Sequence, residues 1–412
     1  MVKQKFDCRG CGNNLTQTFI DLGKSPLANS YLKKNEIKNE KKIPLKVYVC
    51  KKCFLIQLPK FETPKKIFSE YAYFSSFSSE WVNHAKKFAD EISKKMKLDK
   101  EKMVLEIASN DGYLLQFFLN KKIPILGIEP AKNIAKVAQK KGIPTKVAFF
   151  DAKLALKLKE EGVKPNLIIA NNVLAHVPDI HSFIKGLKLI LSLDGIITIE
   201  VPHLLKLIKN VEFDTIYHEH YSYFSLKVLK KIFEEHDLSI FDVKEISTHG
   251  GSLRIYVKHK NNKKFKITKN IEHVLKKEKL EKLEKMETYE EFQDRVNRIK
   301  NELILFLKNA KKNKKKVIAY GAPAKGNTLL NFCNIKKDLI EFTVDKNPYK
   351  QKLFLPGSHI PIKNPEKIIK TNPDFILILP WNIKDEIINQ IKNIQKWRGK
   401  FVIPIPNLKI IE

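Results

Sequence analysis

The sequence predicts an α/β protein. A central Rossmann-like, doubly wound parallel sheet is preceded by a small cysteine-paired module and followed by a second Rossmann-like unit. Three observations predict this. Short apolar runs alternate with amphipathic helical stretches from Met103 to Val201, the pattern of parallel strands joined by crossover helices. The alternation resumes at Val317. Two C-x-x-C pairs stand near the N-terminus, separated by a loop. At 412 residues with 43% apolar side chains, the chain is long enough for two or three domains with sizeable cores.

The formal charge of +32 selects no specific nucleic-acid partner. Only Arg9, Arg254, Arg295, Arg298 and Arg398 are arginines, and reading of bases and phosphates favours the bidentate guanidinium. The lysines are spread along the whole chain, as solvated faces are, so charge implies only a salt-sensitive affinity for polyanions. Met1-Val2-Lys3-Gln4-Lys5 leads into a Cys motif without an apolar run, and no window holds about 18 uninterrupted apolar residues. A cytoplasmic location without membrane insertion is expected. Cysteines grouped in metal-like spacing agree with a reducing compartment.

In chain order, Cys8-Arg9-Gly10-Cys11-Gly12 comes first, and Cys50-Lys51-Lys52-Cys53 follows. Each pair forms a turn that can aim two sulfurs at one ion. Cys8, Cys11, Cys50 and Cys53 therefore predict a tetrahedral Zn²⁺ site, structural because protein fills all four positions. Asp21 to Asn29 reads as an ordered loop, and Phe54 to Leu58 as a strand. Lone Cys333 reads as a small buried apolar side chain. Tyr71 to Trp81 is rich in hydroxyls and aromatics. It suits either a pocket cover, with Tyr73 and Ser75 toward substrate, or an aromatic anchor between domains. Ser79 is the expected N-cap of a helix from about Trp81 to Met96.

The central strands are expected at Met103 to Ala108, Ile125 to Ile128, near Thr145 to Val147, Leu167 to Ala170, and Gly195 to Val201. Ligands of such sheets bind beyond the strand C-termini. That singles out Glu106, Ala108, Ser109, Asn110, Asp111, Gly112, Tyr113, Leu114, Glu129, Pro130, Asp151, Asn171 and Asn172. Glu129 ends the second strand, where a carboxylate accepts from both ribose hydroxyls. The first loop lacks G-x-G-x-x-G and carries Asp111, which suits no diphosphate. Asp111 instead suits the ammonium or backbone amides of a cofactor without phosphate, as S-adenosylmethionine is.

Tyr217-His218-Glu219-His220-Tyr221-Ser222-Tyr223-Phe224-Ser225 places two imidazoles around a carboxylate, with phenols on both sides. Such a stretch suits proton transfer near neutral pH, although a structural network at a helix start uses the same residues. Tyr221 to Ser225 is expected to join the following helix and its cap, and His218 to be the structural imidazole. Arg254, after Gly250-Gly251, suits a substrate contact or an ion pair. Lys263 to Lys312 reads as helix packing Leu275, Leu280, Leu283, Met286, Phe292, Val296, Ile299, Leu303 and Phe306 inward. Strands follow at Val317 to Tyr320, Glu341 to Asp345 and Phe375 to Pro380. Between the first two, Gly321-Ala322-Pro323-Ala324-Lys325-Gly326-Asn327-Thr328 opens a helix. It is no Walker A, since Asn327 follows Gly326, but a helix N-terminus there suits a phosphate.

Taken together and in order, the cysteine pairs, Glu106 to Gly112, Asn172 to Val177, Tyr217 to Tyr221 and Gly321 to Gly326 resemble the three-domain deoxysugar C-methyltransferases. The resemblance covers essentially the whole chain. It implies a zinc-binding domain (1–70), a class I methyltransferase domain (71–260), a helical connector (261–312) and a C-terminal Rossmann-like substrate domain (313–412). It implies S-adenosylmethionine as cofactor and a nucleotide-linked 4-keto-hexose as substrate, methylated on a carbon beside the ketone, in a monomer or weak dimer. By the same resemblance His220 is the general base, Glu219 assists it, Tyr217 meets the keto oxygen, and Tyr71 and His176 support. Gly321, Lys325, Gly326 and Asn327 would join Tyr73, Ser75 and Arg254 at the substrate. Ala108 and Asn110 depart from the glycines common in methyltransferases. Sugar O- or N-methylation, or nucleotide-sugar binding without turnover, are the alternatives.

Overall fold

The structure is a computed structural model that describes residues 5–68, 74–392 and 397–412. Three strands open the chain, β1 (Gln17–Ser25), β2 (Ile43–Val49) and β3 (Ile56–Gln57). Five follow, β4 (Val104–Ile107), β5 (Ile125–Ile128), β6 (Thr145–Lys146), β7 (Leu167–Asn171) and β8 (Ile196–Pro202). Then come β9 (Ser222–Tyr223), β10 (Leu238–Ile246) and β11 (Ser252–His259). The last six are β12 (Val317–Tyr320), β13 (Thr343–Val344), β14 (Ile362–Lys363), β15 (Phe375–Ile378), β16 (Lys400–Ile403) and β17 (Lys409–Ile411).

The middle sheet runs β10-β11-β8-β7-β4-β5-β6. Strands β4 to β8 are parallel, and β11 lies antiparallel between β8 and β10. Helices cover both faces of the parallel strands, so Val104, Leu105, Ile168, Ile169, Ile196 and Ile197 are all buried. The chain winds from β4 out to β6 and returns to β7 on the other side. The order reverses between β4 and β7, and a crevice opens above their C-terminal ends.

The other two sheets share one apolar core, which includes Phe19, Val47, Phe213, Phe292, Leu303, Ile318 and Leu330. The N-terminal sheet is ordered β1-β2-β3-β9, and β9 arrives from far along the chain. The C-terminal sheet is ordered β14-β13-β12-β15-β16-β17, with only β17 antiparallel. The long helix Phe292–Lys312 buries Phe292, Val296, Ile299 and Leu303 against this core. No helix among the described residues is long and apolar enough to cross a membrane.

Local expectations are corrected in six places. Asp21 to Ser25, expected as loop, is the end of β1, because it pairs with β2. The expected helical stretch from Lys263 to Lys312 is three helices, Lys269–Leu280, Glu287–Glu290 and Phe292–Lys312. Ser78, not Ser79, caps the helix Ser79–Met96 by accepting from the Trp81 N–H. Phe54 takes a left-handed conformation (φ 62), which delays the strand after the second cysteine pair until Ile56. Tyr221 to Ser225 is not helical: Ser222 and Tyr223 pair with β3, and only Ser225 belongs to the helix Leu226–Glu234, as its N-cap. Leu280 ends its helix exposed rather than in the core.

Glu278, on the helix Lys269–Leu280, is buried and accepts from His203 Nε2 (2.8 Å), Leu226 N (2.6 Å) and Lys227 N (3.1 Å). It joins the end of β8 to the helix that follows β9. Removing it leaves buried donors unpaired, which costs about 3 kcal/mol. Glu278→Ala is expected to unfold at lower urea concentration than the wild type, by an amount matching that figure.

Candidate active site

The crevice above β4 and β7 continues into a cavity of about 1310 Å³, closed on its far side by the loops after β12, β13 and β15. On the β4 side, Ala108 (φ 56) and Asn110 (φ 50) adopt left-handed conformations, as does Gly112 (φ 77). A Cβ-bearing residue there costs of order 1 kcal/mol, the kind of strain stored where the backbone must face a ligand. The two departures from glycine therefore keep the glycine geometry. Glu129 Oε2 accepts from the Asn110 N–H (2.9 Å) and Oε1 from the Ala131 N–H (2.8 Å), which ties the ends of β4 and β5 together. Burial pushes the Glu129 carboxyl up to about 7. Ala108, Asn110, Tyr113, Glu129, Pro130, Asp151, Asn171 and Asn172 all line the cavity.

Asn171 Oδ1 and both amide atoms of Asn172 are buried without a partner. Buried polar groups are almost always paired, so these atoms mark a place built for a polar ligand. Left-handed backbone at the first loop, a carboxylate after the second strand and orphaned amides after the fourth fit an adenosyl-amino-acid cofactor.

The opposite wall carries the imidazoles. His220 Nδ1–H donates to the Thr215 carbonyl at 2.7 Å, and His176 Nδ1–H donates to the Glu219 carbonyl at 2.7 Å. A carbonyl only accepts, so each ring is held in the Nδ1–H tautomer with Nε2 as the acceptor. The His220 ring lies 4.8 Å from that of His176 and 4.1 Å from that of Tyr217, centroid to centroid. Burial pushes His176 down to about 4, and burial with neighbouring His176 holds His220 well below 6.5. Both are neutral at physiological pH. Ser75, His176, Tyr217, His220, Gly321 and Lys325 line the cavity together. Lys325 Nζ donates to Asn382 Oδ1 (2.8 Å) and sits 4.5 Å above the Trp381 ring.

Other expected site residues do not line it. Asp111 accepts from Ser76 Oγ and from Lys141 Nζ at 3.2 Å and does not line the cavity, although its Oδ1 is buried without a partner. Glu106, Ser109, Gly112 and Leu114 are buried and do not line the cavity. Arg254 is held by Glu200 (Nε to Oε1, 2.7 Å) over the Phe88 ring, an ion pair rather than a substrate contact. Gly326 packs on Leu379, and Asn327 donates to the Ala28 carbonyl at 2.7 Å, so neither faces the cavity. Glu219 sits behind the wall, accepting from Asn29 Nδ2 (3.2 Å), and burial pushes it up to about 7. His218 Nε2–H donates to the Pro44 carbonyl at 3.1 Å. Tyr71 and Tyr73 lie outside the described residues. Asn29, Trp81, His84, Thr215, His249 and Asn382 line the cavity without having been singled out. Asn29 and His249 each sit beside glycine- or proline-containing turns, the one signal that marked them.

The four thiols of Cys8, Cys11, Cys50 and Cys53 lie within 4.8 Å of one another. The Cys8–Cys53 and Cys11–Cys50 sulfur distances are 3.5 and 3.6 Å. Tetrahedral thiolates about 2.3 Å from zinc stand about 3.8 Å apart, so the cluster fits the ion. Gln57 Nε2 donates to Cys8 Sγ (3.0 Å), orienting a ligand from the next shell.

Family models match the chain in three blocks: a zinc binding domain (8–68), a methyltransferase domain (81–243) and a C-methyltransferase C-terminal domain (247–406). Over its full length the chain is 34% identical to the C-methyltransferase NovU of Streptomyces niveus, covering 98% of that protein. The chain belongs to this C-methyltransferase family. It is an S-adenosylmethionine-dependent C-methyltransferase with an N-terminal zinc-binding cysteine cluster. Among solved structures, it overlaps a methyltransferase from Clostridium acetobutylicum at 15% identity, 43% of this chain and 91% of that one, TM-score 0.35. It overlaps magnesium protoporphyrin IX methyltransferase from Synechocystis with bound S-adenosylmethionine at 15% identity, 43% and 78% coverage, TM-score 0.34. Those partial overlaps bear on nothing further.

Losing one thiolate opens the tetrahedral site. Cys50→Ser is expected to drop bound zinc from about one ion per chain to well below it, measured by metal analysis after gel filtration. Its thermal midpoint should then no longer respond to a chelator that lowers the wild-type midpoint.

Proposed function

We propose that the protein methylates a carbon beside the ketone of a nucleotide-linked 4-keto-deoxysugar, with His220 as the general base. The observation that carries this reading is the His220 imidazole. It is neutral, held as the Nδ1–H tautomer by the Thr215 carbonyl, and exposed to the cavity with Nε2 as acceptor. A proton α to a ketone is weakly acidic, so a base held in this way is what its removal requires. Nε2 takes the proton and the carbon's electron pair becomes that of an enolate. S-adenosylmethionine, when bound, supplies the electrophilic methyl group.

The chain's own residues do the rest. Tyr217, packed on the His220 ring, supplies a phenol for the keto oxygen, and His176 shields the other side of the base. Tyr71 takes a supporting role in this reading. Glu219 braces the turn through Asn29 and carries the carbonyl that holds His176. Lys325, together with Gly321, lines the side of the cavity away from the cofactor loop, where the anionic nucleotide portion of the substrate would sit, while Ser75, whose N–H donates to Asn110 Oδ1 (2.9 Å), lies beside that loop. The segments 1–70, 71–260, 261–312 and 313–412 then divide the work into metal-stabilised support, methyl transfer, spacing and substrate holding.

The test is deuterium wash-in from solvent at the α carbon, without cofactor, across a panel of 4-keto sugar nucleotides. His220→Ala is expected to slow exchange by about 10²–10⁴-fold while keeping affinity for S-adenosylmethionine in calorimetry. Normal exchange in that variant would remove His220 from the role. The acid limb also has a defined sign. Protonation disables the base, and the His220 pKa lies well below 6.5. Wild-type exchange should therefore lose nothing between pH 8 and 6.5 through this group, and fall only below that range.

A further inference from the structure

We infer that His249 is a further catalytic residue, donating a hydrogen bond from its ring N–H to the substrate's carbonyl oxygen as the enolate forms. This rests on the reaction proposed above.

His249 stands between β10 and β11, half-buried and on the cavity wall. Its backbone is left-handed, φ 57 and ψ 20. Histidine adopts that conformation only occasionally, and a strained residue in a ligand cavity points to use. The strain cannot relax into the neighbouring residues. A Cβ on Gly250 would fall 2.7 Å from Glu212 Oε1, and one on Gly251 would fall 2.6 Å from Lys206 Cγ. The two glycines are needed for the loop to pass, and they leave the imidazole aimed at the cavity.

The ring differs from the cavity's other imidazoles in its partners. His84 is tied to Glu200, His176 to the Glu219 carbonyl and His220 to the Thr215 carbonyl. Among the described residues, neither ring nitrogen of His249 has a hydrogen-bond partner; its ring contact is with Trp81, 5.2 Å away. Its tautomer is therefore set by whatever enters the cavity.

Position favours the substrate over the cofactor. The turn Thr248–Gly250 packs against Trp381–Ile383, the segment that holds Lys325. Burial and the Lys325 charge push His249 down to about 4. It is an uncharged donor at working pH, so it can polarise a carbonyl without surrendering a proton, a use of neutral imidazole known from other enolising enzymes. In the step, the α C–H bond breaks and its proton goes to His220 Nε2. The bond's electron pair forms the C=C bond, and the carbonyl π pair moves onto oxygen. The His249 N–H bond stays intact and its hydrogen bond to that oxygen shortens.

The test uses the full chain. His249→Gly removes the ring and keeps the left-handed backbone; His249→Asn keeps a shorter N–H donor in a residue that tolerates the conformation. Cofactor-free deuterium exchange and calorimetric affinity for S-adenosylmethionine are measured on both. Exchange in His249→Gly is expected to fall about 10²-fold, with cofactor affinity unchanged. Exchange in His249→Asn should lie between Gly and wild type, and added imidazole should restore part of the loss in the glycine variant. Unchanged exchange overturns the inference, as does a loss that appears as weaker cofactor binding in either variant. If the wild type itself shows no exchange on any 4-keto sugar nucleotide, the reaction reading fails, and this inference with it.

Discussion

The segment from Asp214 to Ser222 is held in place by groups from all three units, and the chemistry of the cavity depends on its not moving. Leu58 N donates to the Tyr221 carbonyl at 3.0 Å, beside the β3–β9 pairing. The Arg9 guanidinium, inside the first C-x-x-C turn, reaches the same carbonyl and also donates to the Leu58 carbonyl at 2.8 Å. From the C-terminal unit, Thr328 Oγ1 donates to the Ile216 carbonyl (3.0 Å) and Trp381 Nε1 to Asp214 Oδ2 (2.7 Å). From the middle unit, the turn after β7 adds a bond from Tyr221 N to the Ala175 carbonyl at 2.8 Å. Hydrogen bonds of this kind contribute about 1 kcal/mol each, but here they also fix two carbonyls, those of Thr215 and Glu219. Those carbonyls decide which nitrogen of His220 and His176 carries the proton. The zinc cluster therefore bears on the active site through Arg9, although its four thiolates leave no open position for substrate.

Charge is distributed against the overall composition. The chain carries a formal +32, yet the interior around the cavity is rich in carboxyls. Burial raises Glu106 well above its ordinary range, Glu129, Glu212 and Glu219 to about 7, and Asp214 to about 6. A carboxyl whose pKa stands near 7 is partly protonated at neutrality, so Glu129, Glu212 and Glu219 carry less negative charge than ordinary carboxylates would, while Asp214, near 6, is mostly ionised. The opposite shift on the imidazoles has the same cause, since burial penalises whichever form is charged. The imidazoles of His176, His220 and His249 are therefore neutral before substrate arrives. At Lys325 burial lowers the pKa, and nearby Asp214 and Glu212 work to keep it charged.

How much of this was legible in the sequence follows from the range of each interaction. Strand runs such as Leu167 to Ala170 are apolar over their own length, so they could be read locally, and so could the paired cysteines. Asp111 and Arg254 could not be read in that way. Each is a charged residue near a glycine at a sheet's ligand end, which suits a ligand contact. What pulls them away is a partner remote in sequence, Ser76 and Lys141 for one, Glu200 and His84 for the other. Asn327 was misread for the same reason, since its partner is the carbonyl of Ala28. Tyr221 to Ser225 reads as a helix start because Ser225 is a cap, while the pairing that makes Ser222 and Tyr223 a strand lies with Ile56 and Gln57. His249 was hidden by its neighbours: two glycines mark the loop, but the left-handed backbone and unpartnered ring behind its proposed role exist only in the folded chain.

A base held far below its ordinary pKa is deprotonated but weak, and general-base catalysis favours a pKa near the operating pH. The proposed reaction resolves this within the cavity. As the proton moves to His220, an imidazolium and an enolate form together, and the new negative charge favours the protonated ring at the moment of transfer. At an effective dielectric near 20, unit charges 4 Å apart attract by about 4 kcal/mol, equivalent to about three pKa units. The depressed free-enzyme pKa keeps the base ready, and the substrate's own charge supplies the missing basicity. Lys325 acts in the opposite sense on His220, lowering its pKa, so its charge helps the reaction only where it lies nearer the enolate oxygen than the imidazolium. A neutral donor such as His249 carries no such conflict. It stabilises oxygen without repelling the ring that has just taken the proton, which is why an uncharged imidazole suits this wall better than a second ammonium would.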